Sequence, residues 1–153
     1  MVVPAAACIR VLMCAVPFSV IAAAASGAAA AQDPRDERAS ALAIQAGRDT
    51  FRQFCAPCHG VDGKGHGPVA PVLTTPPTDL TSVKRRNMGV FPLATLEAML
   101  TAATRLQTAA HPMAHGSEQM PIWGPTFLAI DNGPTLARAR VANLLAYLES
   151  TQQ

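Results

Sequence analysis

The sequence predicts a small all-α domain of three to four helices joined by long loops. Apolar residues recur at intervals of three and four in three segments, as is typical of helices with one buried face. The segments between them are rich in Gly and Pro, which interrupt helices and central strands. No segment has a persuasive strand pattern. The 153 residues, 50% of them apolar, are enough for one compact domain.

Residues 1–31 are predicted to be a secretory signal peptide and not part of the fold. Arg10 supplies the positive charge, the uncharged run VLMCAVPFSVIAAAA occupies 11–25, and the small residues Ala29 and Ala31 suit cleavage after residue 31. An uncleaved membrane anchor is the alternative, because about 20 apolar residues span a bilayer and this run nearly reaches that length. In either case the rest of the chain is expected outside the cytoplasm.

Removal of the signal would leave a flexible polar lead-in at 32–41 and a domain at 42–153. Of the four cysteines, only Cys55 and Cys58 would remain. An oxidising compartment favours a disulfide between two idle thiols, so this pair is expected to be occupied or redox-active. The charge would be about +1, from twelve Lys and Arg less Arg10 against ten acidic residues, which argues against binding to nucleic acid.

Three helices are predicted within the domain. They run from Leu42 to Cys55, from Pro92 to about residue 103, and from a Thr135 cap to the end of the chain. Their apolar faces carry Ile44, Gly47, Phe51 and Phe54, then Leu93, Leu96, Leu100 and Ala103, then Val141, Leu144, Leu145 and Leu148.

Two predicted loops, at 59–81 and 105–134, are unusually long for so small a domain. Loops of more than about 15 residues without regular structure usually have a function. Aromatic residues are also scarce, at 5% of the chain, so that side chains alone would make a thin core. A large, flat, apolar cofactor enclosed by the loops would resolve both difficulties.

The motif CAPCH, at residues 55–59, identifies that cofactor as haem. Two thiols three residues apart at the end of a helix project to one side, within reach of the two vinyl groups of one haem edge, and His59 follows as an iron ligand. A zinc site would need two more ligands at paired spacing, which the other histidines do not provide. A thioredoxin-like pair would need a preceding strand, whereas a helical pattern precedes this one.

Over roughly residues 42–150 the chain resembles the class I monohaem cytochromes c of the bacterial periplasm. The resemblance implies a small cytochrome c fold around one haem, covalently attached through Cys55 and Cys58. In this family a proline carbonyl of the loop after the haem histidine accepts a hydrogen bond from the second ring nitrogen of that histidine. In GHGPVAPVLTTPPTDLT the candidate is Pro71, with Pro68 behind it. Such a bond orients the ligand and raises its basicity.

The stretch HGSEQMPIWG, at 115–124, resembles the Met-Pro-x-Trp-Gly segment of the family. The resemblance implies that Met120 is the second axial ligand. It also implies that Trp123 forms part of the haem wall, with its indole N–H near a propionate, although a general core role is the alternative. Met113 is the rival methionine, and His111 or His115 would give bis-histidine ligation with a lower potential.

Two further methionines are less suited to be ligands, and one helix crossing also resembles the family. Met99 lies among the apolar residues of a predicted helix and is expected in the core, whereas Met88 lacks a matching motif. Gly47 and Tyr147 resemble the family's helix crossing, in which a small residue lets an aromatic ring pack closely.

The resemblance implies a periplasmic electron carrier, or a detachable cytochrome subunit, and not an enzyme. With both axial positions filled, the iron would exchange single electrons with redox protein partners such as a periplasmic dehydrogenase, an oxidase or a bc1-type complex. The protein is expected to be a monomer or a detachable subunit, and the basic triplet at 84–86 is either a solvated segment or a docking patch. A haem-based ligand sensor or a peroxidase-like protein with an openable distal position is the alternative.

Overall fold

The computed structural model describes residues 33–103 and 119–153. The predicted signal peptide at 1–31, like His111, Met113 and His115, lies outside these residues. The helices are α1 Pro34–Thr50, a π-helical turn Phe51–Cys55, α2 Ala56–His59, α3 Val83–Arg86, α4 Leu93–Thr101, α5 Trp123–Ile130 and α6 Pro134–Ser150, with 3₁₀ turns at Ala70–Val72 and Leu80–Ser82. No strand occurs in the described ranges, and the predicted all-α class is confirmed.

Helix α1 begins eight residues earlier than predicted. The side chain of Asp33 accepts a hydrogen bond of 2.9 Å from the Arg35 amide, and Pro34 occupies the first helical position. Two acidic residues follow in the first turn, where they interact favourably with the helix dipole. The predicted flexible lead-in at 32–41 is therefore wrong over 34–41, which are helical.

Helices α1 and α6 cross at Gly47, as predicted. A Cβ atom at this position would overlap the backbone carbonyl of Asn143 and lie 2.9 Å from the Cβ of Tyr147. The Tyr147 ring in turn packs on Phe51, with 5.3 Å between the ring centroids. The absence of a side chain at Gly47 is thus what allows the two longest described helices to approach.

The core lies where α1, α4, α5 and α6 meet. The predicted apolar face of α6 is entirely buried, and the helix begins at Pro134 after Gly133, so that Thr135 is not its cap. On α4 the residues Leu96 and Leu100 are buried, whereas Leu93 is 50% exposed. The most deeply buried large side chains are Phe51, Phe127, Leu144 and Leu145.

Helix α5 lies within the segment predicted as a loop. Gly124 and Pro125 interrupt helices only in the interior, and here they occupy the first turn, where the amide that proline lacks has no helical partner. Gly124 also packs against the carbonyls of Thr101 and Ala102, which a side chain would obstruct. The loop prediction at 105–134 is therefore wrong for Trp123–Ile130.

The Arg140 side chain joins three of these helices. Its guanidinium group donates hydrogen bonds of 2.8 and 2.5 Å to the two carboxylate oxygens of Asp131, and one of 3.4 Å to the Thr50 hydroxyl. It also lies about 6 Å from the ring centroids of Phe54 and Phe127. Hydrogen bonding to Arg140 lowers the pKa of Asp131. Across the described residues, no helix has the length and apolarity needed to cross a membrane.

Candidate functional site

A π-helical turn leads directly into the CAPCH motif. The Ala56 amide donates to the Phe51 carbonyl, five residues back, so the turn before the cysteines is wider than an α-helical one. Turns of this kind are frequent at functional sites. Cys55 is buried and Cys58 is partly exposed, and the two are not joined by a disulfide. Burial, with a smaller contribution from the neighbouring Cys58, raises the pKa of Cys55 to about 12.

The glycine-rich loop after the motif folds back onto the end of α2. Amides of Gly60, Val69, Gly67 and Gly65 donate to the four successive carbonyls of the helix, at Ala56, Pro57, Cys58 and His59, over distances of 2.9, 2.9, 3.0 and 2.7 Å. Every carbonyl of this short helix therefore has a partner. The loop fixes the backbone that carries the two thiols and the imidazole.

The imidazole of His59 is oriented by Thr78. Its Nδ1 lies 2.9 Å from the Thr78 backbone carbonyl, and since a carbonyl only accepts, Nδ1 carries the proton and donates. Burial lowers the pKa of His59, although the bond to Thr78 opposes this effect. The ring is therefore held as a neutral imidazole whose Nε2 has the lone pair that binds a metal.

The prediction of Pro71 as the acceptor for His59 is wrong. The first part of the loop wraps the end of α2, which leaves Pro71 exposed in the turn Ala70–Val72. The chain then returns past His59 through Pro76 and Pro77, and Thr78 comes within reach. The His59 ring donates a hydrogen bond to a backbone carbonyl, as expected, but the accepting residue, Thr78, lies seven positions further along the chain than Pro71.

Two cavities adjoin the motif and share the same four residues. One is about 310 Å³ and the other about 360 Å³, and both are lined by Cys55, His59, Thr78 and Met120. The first extends between helices, where its other walls include Val83, Phe91, Leu96, Met99, Leu144 and Leu148. The second extends toward Cys58, Pro77, Gln119 and Trp123. Both therefore adjoin a single set of potential ligands.

The residues around these cavities fit a covalently bound haem. Two thiols lie at one end of the site, a neutral imidazole presents an unprotonated nitrogen, and the thioether of Met120 lies on the shared wall. The remaining walls are mostly apolar side chains, which suit a flat macrocycle. Cysteine thiols would attach haem by adding across its two vinyl groups to give thioether bonds, while imidazole and thioether are ligands that iron accepts in c-type cytochromes. Met99 lines the first cavity and packs against the hydrophobic core, as predicted.

Trp123 belongs to an aromatic cluster at the second cavity. Its ring stacks on Phe127, with 5.6 Å between centroids and 14° between planes, and it meets the edge of Phe54 at 5.6 Å. The residue thus has both a core contact and a position on the cavity wall. Its role toward a propionate stays a prediction.

Sequence reasoning missed two polar residues of the site, Thr78 and Gln119. Thr78 follows Pro76 and Pro77, which favour extended backbone, but nothing in that pattern specifies which carbonyl meets His59. The Gln119 side chain bonds to Thr74 and Thr75, which are 45 and 44 residues away in sequence. Contacts over such separations leave no local signal.

Comparison with known proteins gives the family. The family model described as Cytochrome c matches residues 44–152. No curated protein and no solved structure gives a significant match. The match spans the CAPCH motif, both cavities and the helices that enclose them. The chain therefore belongs to the cytochrome c family and carries a covalently attached c-type haem, with Cys55 and Cys58 in the haem-binding region.

Proposed function

We propose that this protein is a periplasmic electron carrier, or a detachable cytochrome subunit, with His59 and Met120 as axial ligands. Membership of the family already supports haem-based electron transfer. The observation that carries the finer proposal is that His59 and Met120 line both cavities, together with Cys55. The partners proposed are redox proteins of the respiratory or dehydrogenase type.

The residues of the chain have distinct tasks in this proposal. Haem supplies one-electron exchange between ferric and ferrous iron. Cys55 and Cys58 retain it through repeated encounters, Thr78 holds the His59 ring in the metal-binding tautomer, and Met120 fills the sixth position. Apolar walls exclude water, and His/Met ligation raises the potential. With no open position on the iron, the protein would transfer electrons without binding a substrate.

Replacement of Met120 tests this ligation. In the Met120→Ala variant we expect loss of the weak ferric sulfur-to-iron absorption band and rapid binding of carbon monoxide to the ferrous form. Met99→Ala is the matched control, because Met99 lines the first cavity but is assigned to the core. Loss of the band in Met99→Ala would identify Met99 as the ligand, and an unchanged spectrum in Met120→Ala would mean that the sixth position is open or ligated by another residue. Either result would contradict the proposal.

The α3 patch, defined as Lys84, Arg85, Arg86, Met88 and Val90, is the surface we propose for docking of a redox partner. The three basic residues form the exposed part of α3. Met88 is 93% exposed and Val90 is 64% exposed, so two apolar side chains lie at the surface close in sequence to the positive charge. Arg86 also lines the first cavity, so the patch adjoins the haem site. A small apolar surface beside positive charge suits an acidic redox protein.

Electron exchange with hexacyanoferrate(III) tests this surface. The ferrous protein gives up one electron to this anionic probe, and positive charge near the haem edge accelerates the encounter. We expect the double variant Lys84→Glu/Arg85→Glu to react severalfold more slowly at low ionic strength. The double variant Arg35→Glu/Arg38→Glu on α1 changes the net charge equally and serves as the control. Equal rates in the two variants would exclude the α3 patch as the exchange surface.

A further inference from the structure

One side chain connects the residue beside Met120 to the segment beside His59. The Gln119 Oε1 atom accepts three hydrogen bonds, from the Thr74 amide at 2.8 Å, the Thr74 hydroxyl at 2.9 Å and the Thr75 amide at 3.2 Å. Because an amide oxygen offers two lone pairs, these three donors share one acceptor, and the Gln119 side chain is bound to both Thr74 and Thr75.

Both ends of this connection lie next to groups of the haem site. Thr75 and Gln119 line the second cavity, together with Thr78 and Met120. Thr75 stands three residues before Thr78, whose carbonyl accepts from the His59 ring. Gln119 directly precedes Met120, and Pro121 directly follows it. Because a following proline restricts the backbone of the preceding residue, Met120 is limited on its C-terminal side by Pro121.

We propose that Gln119 is a positioning residue for the sixth ligand of the iron. Its hydrogen bonds to Thr74 and Thr75 tie Met120 to the segment that orients His59, and so link the two axial sides of the haem. With Gln119 and Pro121 limiting the backbone on either side, the thioether spends little time away from the iron. This inference rests on the proposed His59 and Met120 ligation.

Four variants of the haem-loaded chain separate the effect of the hydrogen bonds from that of the size of the side chain. Gln119→Leu keeps the approximate size and cannot accept a hydrogen bond, whereas Gln119→Glu retains acceptor oxygens. Gln45→Leu makes the same change at an exposed position of α1 and is the control. Because Gln119 is itself exposed, the leucine variant is expected to fold. Thr74→Val removes one of the three donors from the other side and provides a second route to the same result.

Two measurements on these variants test the inference. Amide hydrogen exchange at Thr74 and Thr75 reports the bonds themselves. The rate of carbon monoxide binding at saturating gas reports how often the sixth position opens. We expect both to rise about tenfold in Gln119→Leu, as for the loss of one net hydrogen bond, less in Thr74→Val, and little in Gln119→Glu or Gln45→Leu.

The possible failures can be distinguished. Unchanged amide exchange in Gln119→Leu would overturn the inference, because the bonds would then be absent in solution. Faster exchange with an unchanged rate of carbon monoxide binding would also overturn it, since the cluster would then be structural without positioning Met120. If the native protein itself lacks the ferric sulfur-to-iron band, the proposed ligation fails, and the inference fails with it whatever Gln119 does.

Discussion

At the scale of single residues, Gly65 packs against the segment that accepts a hydrogen bond from His59. Its φ of 89° lies in the left-handed region, and a Cβ atom would overlap the Pro77 carbonyl, next to the Thr78 carbonyl that accepts from His59. Gly65→Ala should therefore lower the free energy of unfolding by about 2–4 kcal/mol, from backbone strain and overlap together. Chemical denaturation of the haem protein measures this loss, and the midpoint potential should shift as Thr78 moves.

Gly89 provides a matched control for that substitution. Its φ is 83°, yet no atom lies within 4 Å of the position that a Cβ would occupy. Gly89→Ala should cost only the backbone strain, about 1–2 kcal/mol, and leave the potential unchanged. Equal losses in the two variants would show that contact with Pro77 is unimportant.

The ion pair of Asp131 and Arg140 should make stability depend on pH. Because hydrogen bonding to Arg140 lowers the folded-state pKa of Asp131 below its ordinary 3.8, the carboxylate stabilises the fold fully above that value. The contribution disappears as the pH falls through the lowered pKa. Asp131→Asn should lose about 1–2 kcal/mol at neutral pH. Unfolding curves of the variant and the native protein, recorded from neutral to acidic pH, should converge at the acidic end.

Asp49→Asn is the control for this pair. Asp49 is an exposed acid on α1, so its replacement should leave the unfolding curve nearly unchanged throughout. A constant difference between Asp131→Asn and the native protein, down to the most acidic pH, would mean that Asp131 acts through packing and not through its charge.

At the scale of helices, the crossing of α1 and α6 depends on Gly47. In an exposed helix a change from Gly to Ala is stabilising by about 1 kcal/mol. Here the added methyl group would overlap the Asn143 carbonyl, so Gly47→Ala should be destabilising by about 1–3 kcal/mol. Thermal unfolding of the haem protein measures the change. Gln45→Ala on the exposed side of the same helix is the control, and stabilisation by Gly47→Ala would refute the close crossing.

The sequence predicts the position of a helix well where the helix has a regular buried face. It predicts the first and last residues of a helix poorly. The spacing of apolar residues predicts the buried face of α6 correctly, since all four of its residues are buried: Val141, Leu144, Leu145 and Leu148. The apolar face of α1 does not indicate its start, which lies at the cap Asp33 and the first helical residue Pro34. Gly124 and Pro125 indicate a break only if they fall inside a helix, and their first-turn position depends on packing against Thr101 and Ala102.

The site divides in the same way. The CAPCH motif is local, so Cys55, Cys58 and His59 follow from spacing alone. The acceptor for His59 depends on the path of a loop from residue 60 to 78, and that path is set by amides that bind the end of α2. The sequence favours Pro71 as the acceptor, but the route of the chain leaves Pro71 exposed. The bonds of Gln119 likewise depend on tertiary structure.

At the scale of the whole molecule, haem is part of the core. Cavities of about 310 and 360 Å³ adjoin the CAPCH motif, and the first is lined by Leu96, Leu100, Leu144 and Leu148, against which haem would pack. Unfilled volume of this size costs several kcal/mol, a large part of the roughly 5–15 kcal/mol that stabilises a domain. The Cys55→Ala/Cys58→Ala variant, which cannot attach haem, should lose much of its helical circular dichroism and its cooperative unfolding.

Single replacements provide the comparison. Cys58→Ala leaves one attachment bond and should retain the helical spectrum when haem is bound, with lower stability than the native protein. A haem-free double variant that unfolds cooperatively, with native helix content, would show that the side chains alone suffice for the core.

The central claim is that this cytochrome c exchanges electrons at an iron with both axial positions filled. An anaerobic redox titration of the native protein, followed optically with and without carbon monoxide, tests it most directly. We expect a single one-electron transition whose midpoint is the same in both titrations. A midpoint raised by carbon monoxide would mean that the ferrous iron binds the gas at an open position, which would contradict the carrier function and favour ligand sensing or peroxidase-like chemistry.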